Sequence, residues 1–270
     1  MLGLGLGLGL APTSGGRYDP SAMALFARMS VAPDSTRKGL IDHLVRSLKS
    51  SEVWGKLDAL YLMAAHDSQA ARRNWIADAY NLSAVSAPAF TTDRGFAGNG
   101  TSAYLSTGLN PSTLDSGGLA KRDSAHMALW KLTASYSSTK VLAGCRTSTT
   151  VFFDFVQTSS TGFVGRPNSG PAGGAITLTA EADMACISRT SSSNVDYYWK
   201  GSFVTSRADA SVTPPNVSAV ILAQNSDVSG VTGFANDQLA FFSIGSSLNS
   251  TEQANLRTAV RDYLVAVGAV

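Results

Sequence analysis

The clearest pattern of apolar and polar positions lies near the end of the chain, in residues 250–267. Its apolar residues recur at intervals of three and four and line one face of a helix: Leu256, Ala259, Val260, Tyr263, Leu264 and Val267. Ser250 and Gln253 have the spacing of a capping box, in which side chains satisfy free backbone amides at a helix start. Gly268 is placed to end the helix. The pattern therefore predicts a short C-terminal helix.

The first eighty residues favour helices. Residues 38–49 carry apolar side chains at helical spacing and predict an amphipathic helix. Residues 21–29 and 67–75 are shorter helical candidates, and residues 51–65 predict a helix that continues into a buried strand. This part of the chain is therefore predicted to be helical or extended.

The pattern changes near residue 81 to short β-favouring runs separated by Gly, Asn, Ser and Pro. Regularly spaced short strands with turn signals indicate two stacked antiparallel sheets and not a parallel sheet wrapped by helices. We therefore predict a mainly β protein, an antiparallel β-sandwich with a short C-terminal helix. Its predicted segments are an N-terminal arm over residues 1–37, a helical segment over 38–80 that packs on or leads into the sandwich, and the sandwich over 81–270.

Composition narrows the functional classes. The chain has 21 Lys and Arg against 19 Asp and Glu, a net charge of +2, and its basic residues are scattered along the sequence. No basic stripe for nucleic acid is present, so we expect no nucleic-acid partner. Cys145 and Cys186 each lie in a predicted strand and are interpreted as buried free thiols. A cross-strand disulfide remains open, because sequence does not give the distance between their Cα atoms.

The first ten residues, MLGLGLGLGL, alternate leucine with glycine. In an extended chain this period of two places the leucines on one face, and the glycines let another backbone approach closely. The predicted docking residues are Leu2, Leu4, Leu6, Leu8 and Leu10. Two interpretations stay open: a strand that adds to the sheet of a partner protein, or a disordered apolar tail. The segment is too short to span a bilayer, so no membrane insertion is predicted.

Three stretches together resemble concanavalin-A-like, laminin-G-like domains. Residues 89–112 contain a glycine-rich hairpin followed by Tyr-Leu-x-Thr-Gly, and residues 124–135 resemble the alternating core strand of such domains. Residues 237–264 resemble their closing strand, followed by Gly-x-x-Leu and a helix. This resemblance implies a jelly-roll sandwich with a lectin-like character. Such motifs are structural, so they indicate the fold more specifically than the function.

Residues 50–96 resemble segments that precede such domains in virion proteins of phages and prophages. Together with the Leu-Gly leader, this resemblance implies a structural protein of a bacteriophage virion, a tail-fibre or head-decoration subunit used in assembly or host attachment. The implied location is the virion, assembled in the host cytoplasm. The implied partners are other virion proteins, bound through the N-terminal arm, and further copies of the chain. The alternative is a carbohydrate-binding module that reads a host glycan receptor.

The chain has few acidic residues that could catalyse hydrolysis of a sugar chain. Most glycosidases place two carboxylates beside the scissile bond, and glutamate occurs here only as Glu52, Glu181 and Glu252. Glu181 and Asp183 would share one face of a strand and form the best candidate pair. The further glutamate of the laminarinase-like pattern is lacking. We therefore predict that the protein is not an enzyme, with polysaccharide degradation as the least favoured alternative.

Sugar binding and calcium binding each have candidate residues. Tyr197 and Trp199 share one face of a predicted strand, where exposed rings would stack on a sugar; alternatively Tyr198 packs inside and the flanking rings cover a sheet edge. The resemblance implies one calcium ion held by Asp and Asn in rim loops. Its candidate ligands are Asp93, Asn99, Asp227, Asn236 and Asp237. Asp and Asn are also common turn residues, so a structural role stays open. No other cofactor is expected.

Overall fold

The computed structural model describes residues 18–133, 138–171, 175–178 and 182–270. The predicted docking leucines of the leader lie outside these residues. Within the described residues the α-helices are α1 (Pro20–Phe26), α2 (Ser35–Ser50), α3 (Pro111–Gly117) and α4 (Ser250–Ala266). The remainder is mostly β structure arranged in two sheets.

The first sheet has eight strands. Its order is β13 (Ser202–Ala208), β12 (Asn194–Trp199), β11 (Met184–Arg189), β6 (Ala125–Lys131), β17 (Gln238–Gly245), β4 (Gly95–Ala97) and β3 (Ala89–Thr91). The eighth strand, β1 (Leu57–Leu62), pairs with the C-terminal half of β17, on the same side as β4. All pairings in this sheet are antiparallel.

The second sheet has nine strands. Its order is β10 (Ile176–Thr177), β9 (Gly162–Ser169), β8 (Val151–Gln157), β7 (Lys140–Thr147), β14 (Val220–Ile221), β5 (Tyr104–Ser106) and β2 (Ser83–Val85). β15 (Gln224–Ser226) pairs in parallel with β7 and antiparallel with β16 (Gly230–Thr232). The prediction of a mainly β protein built as an antiparallel sandwich is therefore confirmed.

The helices α2 and α4 pack together, and α4 lies on the outer face of the eight-stranded sheet. Gln253 of α4 lies with its side-chain nitrogen 2.7 Å from the Cys186 sulfur of β11. Arg257 of α4 lies over the Trp130 ring of β6, at 5.7 Å from the ring centroid. Because the other face of this sheet meets the second sheet, β6 and β11 are buried along their whole length. Their sequences therefore lack the alternation of apolar and polar residues that is typical of a strand with one solvent-exposed face.

The sandwich includes a strand that precedes position 81. β1 extends the eight-stranded sheet, and Tyr61 stacks on Phe242 of β17 with ring centroids 6.3 Å apart. The helix predicted over residues 67–75 is reduced to one short 3-10 turn, Ala70–Arg72. The helix α3 has no counterpart among the predicted elements. It begins at Pro111, a residue favoured in the first turn of a helix.

The two cysteines are free and buried, as the sequence analysis interpreted them. Cys145 lies in β7 of one sheet and Cys186 in β11 of the other. Burial raises the pKa of both thiols. Neither is therefore a reactive thiolate at neutral pH.

The cap of α4 is shifted by one residue from the predicted position. Asn249, not Ser250, accepts from the backbone amide of Glu252, and the Glu252 carboxylate accepts from the amide of Asn249. Asn249 has extended backbone angles, which an N-cap requires, whereas Ser250 is already helical.

Replacing Asn249 with Ala is expected to lower the free energy of unfolding by about 1 kcal/mol, because one end of the capping box is lost. Urea unfolding followed by circular dichroism measures this. Thr251→Ala is the matched control, since Thr251 is exposed in the first turn. An equal loss in both variants would show that the Asn249 cap does not stabilise α4.

Candidate functional site

A row of side chains points outward from the nine-stranded sheet, away from the other sheet. Asp154 of β8 pairs with Arg166 of β9, and Phe155 pairs with Gly165. A Cβ atom at Gly165 would lie 2.3 Å from Cγ2 of Ile187 in β11, so Gly165 and Phe155 face the opposite sheet. Side chains alternate along a strand. Asp154 and Arg166 therefore lie on the outer face.

The outward side chains form one connected group, which we call the Asp154 cluster: Arg146, Phe152, Asp154, Arg166 and Gln224. The Arg166 guanidinium donates to both carboxylate oxygens of Asp154, at 2.8 and 2.6 Å. Its Cζ atom lies over the Phe152 ring, 3.6 Å from the ring centroid. The side-chain amide of Gln224 also donates to Asp154. Arg146 lies beside Phe152 in the register of β7 and β8.

Local sequence makes room for this group. Gly144 pairs with Asp154 and has a φ of +143°, and a Cβ atom there would lie 2.4 Å from Asp154 Cα. A side chain at position 144 would displace the carboxylate. Complete burial raises the pKa of Asp154, while the guanidinium of Arg166 opposes this effect by favouring the ionised form.

The guanidinium groups are the accessible parts of the cluster. Asp154 is fully buried, whereas 17% of the Arg166 side chain is exposed and Arg146 is partly exposed. Arg146 donates from Nη2 to Ser229 Oγ at 3.2 Å. Its Nε is buried and has no hydrogen-bond partner among the described residues. Two guanidinium groups against one carboxylate leave an excess positive charge, which suits an anionic or hydroxyl-rich ligand and repels a metal cation.

A second candidate is a cavity of about 380 Å³ between α1 and residues 75–78. Arg28, Trp75 and Asp78 contribute to its lining. Arg28 Nη1 already donates to the carbonyls of Asn74 and Ala77, at 2.9 and 2.8 Å. The Trp75 ring is 3% exposed and packs edge-on against Tyr263. The Arg28 guanidinium and the Trp75 ring are thus already engaged in contacts within the protein, which leaves them little surface for a ligand.

The aromatic pair predicted for sugar stacking does share a face, as predicted, but it is the inner face of the sandwich. Tyr197 donates from its hydroxyl to the Gly165 carbonyl across the core, at 2.8 Å. Tyr197 is 1% exposed and Trp199 is 8% exposed. Tyr198 points to the other side and meets Phe203 edge-on. In this structure neither Tyr197 nor Trp199 offers a ring face to a sugar, because both pack between the sheets.

The predicted calcium ligands do not form one site. Asp93 pairs with Arg37 at 2.7 Å, and Asp227 accepts from the Ser148 amide at 2.8 Å. Asn99 accepts from the backbone amides of residues 101–103 and holds its own turn. Within the described part of the chain, no group of three or more His, Cys, Asp or Glu is placed to hold a metal.

The last two predicted calcium ligands lie beside buried lysines. Asp237 is 0% exposed and contacts Lys131 Nζ at 2.9 Å and Lys140 Nζ at 2.7 Å. Lys140 also donates to the Asn236 side chain, and Lys131 donates to Gln157. Burial lowers the pKa of Lys131. We call Lys131, Lys140 and Asp237 the buried charge triad; its two ammonium groups exclude a calcium ion from Asp237.

The candidate hydrolytic pair is only partly described. Asp183 is held by the Arg257 guanidinium at 2.8 and 2.7 Å, so its carboxylate is paired. Glu181 lies outside the described residues.

The Asp154 cluster was not among the sequence-based candidates. A signal was present: β8 reads VFFDFVQ, with one acid in an otherwise apolar run, and each neighbouring strand carries an arginine. A charge at the centre of a buried strand requires a partner on the same face. Register is needed to decide which arginine supplies it.

No family model and no curated protein matches the chain. Solved structures do match in fold. A Trypanosoma rangeli sialidase mutant with trans-sialidase activity has a TM-score of 0.54 at 13% identity, over 84% of this chain and 39% of that one. A Trypanosoma rangeli sialidase in complex with sialic acid has a TM-score of 0.53 at 10% identity, with the same coverage. A botulinum neurotoxin type C structure, concerned with cell entry through two ganglioside molecules, has a TM-score of 0.57 at 9% identity, over 78% and 53%.

These matches establish the lectin-like sandwich fold. The chain spans about two fifths of the sialidase and about half of the neurotoxin chain. The prediction that the protein is not an enzyme is wrong, because sialidases are among the structures with this fold. The small number of glutamates could not exclude an enzyme, since some proteins with this fold act on sugars.

None of the described helices has both the length and the apolar character that crossing a bilayer requires.

Proposed function

We propose that this chain is a lectin-like glycan-binding protein and that the Asp154 cluster is its binding surface. The observation that carries the proposal is the outer face of the nine-stranded sheet with its two arginines, where Arg146 Nε has no hydrogen-bond partner among the described residues. Support comes from the fold, which is shared with a sialidase bound to sialic acid and with a ganglioside-dependent neurotoxin.

The chemistry favours an acidic glycan. A sugar carboxylate would accept hydrogen bonds from Arg146 and from the exposed edge of Arg166, and would balance the excess positive charge of the cluster. The planar guanidinium of Arg166, held on Phe152, also offers a flat surface to a sugar ring. Binding at this face requires no movement of Asp154, because that carboxylate is already held from two sides.

A glycan array with the full chain tests the proposal. We expect saturable binding to glycans that end in a carboxylate-bearing sugar. Arg146→Ala should weaken binding at least about tenfold, because a hydrogen bond to a charged group contributes about 1.5–3 kcal/mol. Arg146→Lys should retain part of the affinity, since it keeps the charge and loses the planar fork.

The matched control is Arg261→Ala, which removes an exposed arginine from α4 on the other side of the sandwich. It should leave binding unchanged. Two results would contradict the proposal: no saturable binding to any glycan, or loss of binding in Asp78→Ala at the cavity together with full binding in Arg146→Ala.

We propose further that the chain is carried on a bacteriophage particle, as a tail-fibre or head-decoration subunit present in several copies. The support is the resemblance of residues 50–96 to segments of virion proteins, together with the Leu-Gly leader. Copurification with intact particles through a density gradient tests this location. Recovery of the protein only as a free monomer in host cytosol would contradict it.

A further inference from the structure

The turn between β15 and β16 borders the Asp154 cluster. Arg146 Nη2 donates to the hydroxyl of Ser229 in this turn at 3.2 Å. Ser226, at the end of β15, lies beside Arg146 in the register of β15 and β7. Val228 precedes Ser229 in the chain, so its Cα atom lies within about 10 Å of the Arg146 guanidinium. A ligand of sugar size that binds Arg146 would therefore lie close to this turn.

Val228 is an unusual residue for such a position. It is 71% exposed, more than any other large apolar residue in the described part of the chain. Turns favour Gly, Asn, Asp and Ser, whereas a branched valine favours strands. A single exposed apolar side chain is common on protein surfaces, but this one neighbours the guanidinium that carries the proposed binding surface. Its methyl groups are therefore available to a ligand that Arg146 holds.

Hydrogen bonds hold this turn in place. Ser226 Oγ accepts from the backbone amides of Val228 and Ser229, at 3.2 and 3.4 Å. Asp227 Oδ1 accepts from the backbone amide of Ser148 at 2.8 Å, which ties the turn to the neighbouring turn between β7 and β8. Because the backbone around Val228 is already fixed, a contact with a ligand costs little further ordering.

We propose that Val228 contacts the N-acyl group of an acidic sugar whose carboxylate binds Arg146. This inference rests on the proposed glycan-binding function and adds a substrate class to it, the N-acylated acidic sugars. An acyl group extends away from the sugar ring, as the Ser229 side chain between Arg146 and Val228 requires. The methyl group of a deoxy sugar stays close to the ring. Removal of the acyl methyl group from water against Val228 supplies the preference.

A series of glycosides of one sialic acid, whose nitrogen carries a formyl, an acetyl or a propionyl group, tests the proposal. The three compounds have the same charge and the same amide, and differ by one carbon at a time. Calorimetric titration of the full chain measures their affinities. We expect the affinity to rise with each added carbon, by up to about fourfold, because burial of one CH₂ group has at most about this effect.

Three variants assign the preference to Val228. Val228→Ser should bind the three compounds almost equally and keep the wild-type affinity for the formyl compound; serine is a favoured turn residue, so the turn is retained. Arg146→Ala should weaken all three by the same factor and keep their order. Val265→Ser is the matched control, because Val265 is a 46% exposed valine of α4. It should reproduce the wild-type series.

The outcomes separate this inference from the function on which it rests. Equal affinities for the three compounds in the wild type, or an unchanged series in Val228→Ser, would overturn the role of Val228 and leave glycan binding supported. Failure of all three compounds to bind the wild type would overturn both.

Discussion

Replacing Asp237 with Asn is expected to lower the free energy of unfolding by about 3–5 kcal/mol. Asp237 is the carboxylate of the buried charge triad and contacts both lysine ammonium groups, at 2.9 and 2.7 Å. Asparagine has nearly the same shape but no charge, so the variant removes the carboxylate that the two buried ammonium groups share. Loss of one partner from a buried ion pair typically costs this much. Urea unfolding at pH 7 measures the change.

Two further variants sharpen this test. Asp78→Asn removes a carboxylate that is 63% exposed and lies 3.7 Å from Arg28, and should change the free energy of unfolding by less than about 1 kcal/mol. Lys131→Met leaves Asp237 with Lys140 alone, which balances the charge of the triad. It should therefore be much less destabilising than Asp237→Asn. Equal losses for Lys131→Met and Asp237→Asn would contradict the account of the triad.

Acidification is expected to destabilise the fold between about pH 6.5 and pH 4 through His126. The ring is fully buried, and this burial lowers its pKa from 6.5 to about 4. Nδ1 donates to the Ser246 carbonyl at 2.6 Å, and Nε2 accepts from Ser243 Oγ at 3.1 Å, so the neutral ring is satisfied. The unfolded chain takes up a proton near pH 6.5, whereas the folded chain resists until about pH 4. The neutral ring therefore makes its whole contribution to the free energy of unfolding above pH 6.5. This free energy falls by about 3 kcal/mol as the pH drops to 4.

Urea unfolding at several pH values between 7 and 4, for the wild type and His126→Gln, isolates this contribution. Carboxylates also titrate at the acid end, so the difference between the two slopes is the informative quantity. The slope of His126→Gln should be smaller. His43→Gln, at an exposed position of α2, should keep the wild-type slope. Parallel curves for the wild type and His126→Gln would show that the ring is not held neutral.

The fold could be predicted from the local pattern of apolar and polar residues where one face of a helix or strand is exposed to solvent. The stripe of α4 and the helical spacing of α2 gave both helices to within a few residues. The strand β1 was less clear, because a strand buried on both faces has no alternation and its apolar run also fits a helix. The cap of α4 was misplaced by one residue because Asn249 and Ser250 are both good N-cap residues, and only the backbone angle separates them.

The candidate site could not be predicted in the same way, because it depends on register between strands. Asp154 and Arg166 are twelve residues apart, and Gln224 is seventy residues from Asp154. For Tyr197 and Trp199 the sequence predicted the shared face but not its burial. Alternation correctly placed both rings on one face, but sequence does not tell which face of a two-sheet protein meets the core. Asp237 was a reasonable loop ligand until its two lysine partners were known.

A crystal structure of the full chain grown with a sialic-acid-bearing oligosaccharide tests the central claim most directly. We expect a sugar on the outer face of the nine-stranded sheet, with its carboxylate within hydrogen-bond distance of Arg146 and its ring beside Arg166. A sugar bound in the cavity lined by Arg28 and Trp75, with the Asp154 cluster left unoccupied, would contradict it.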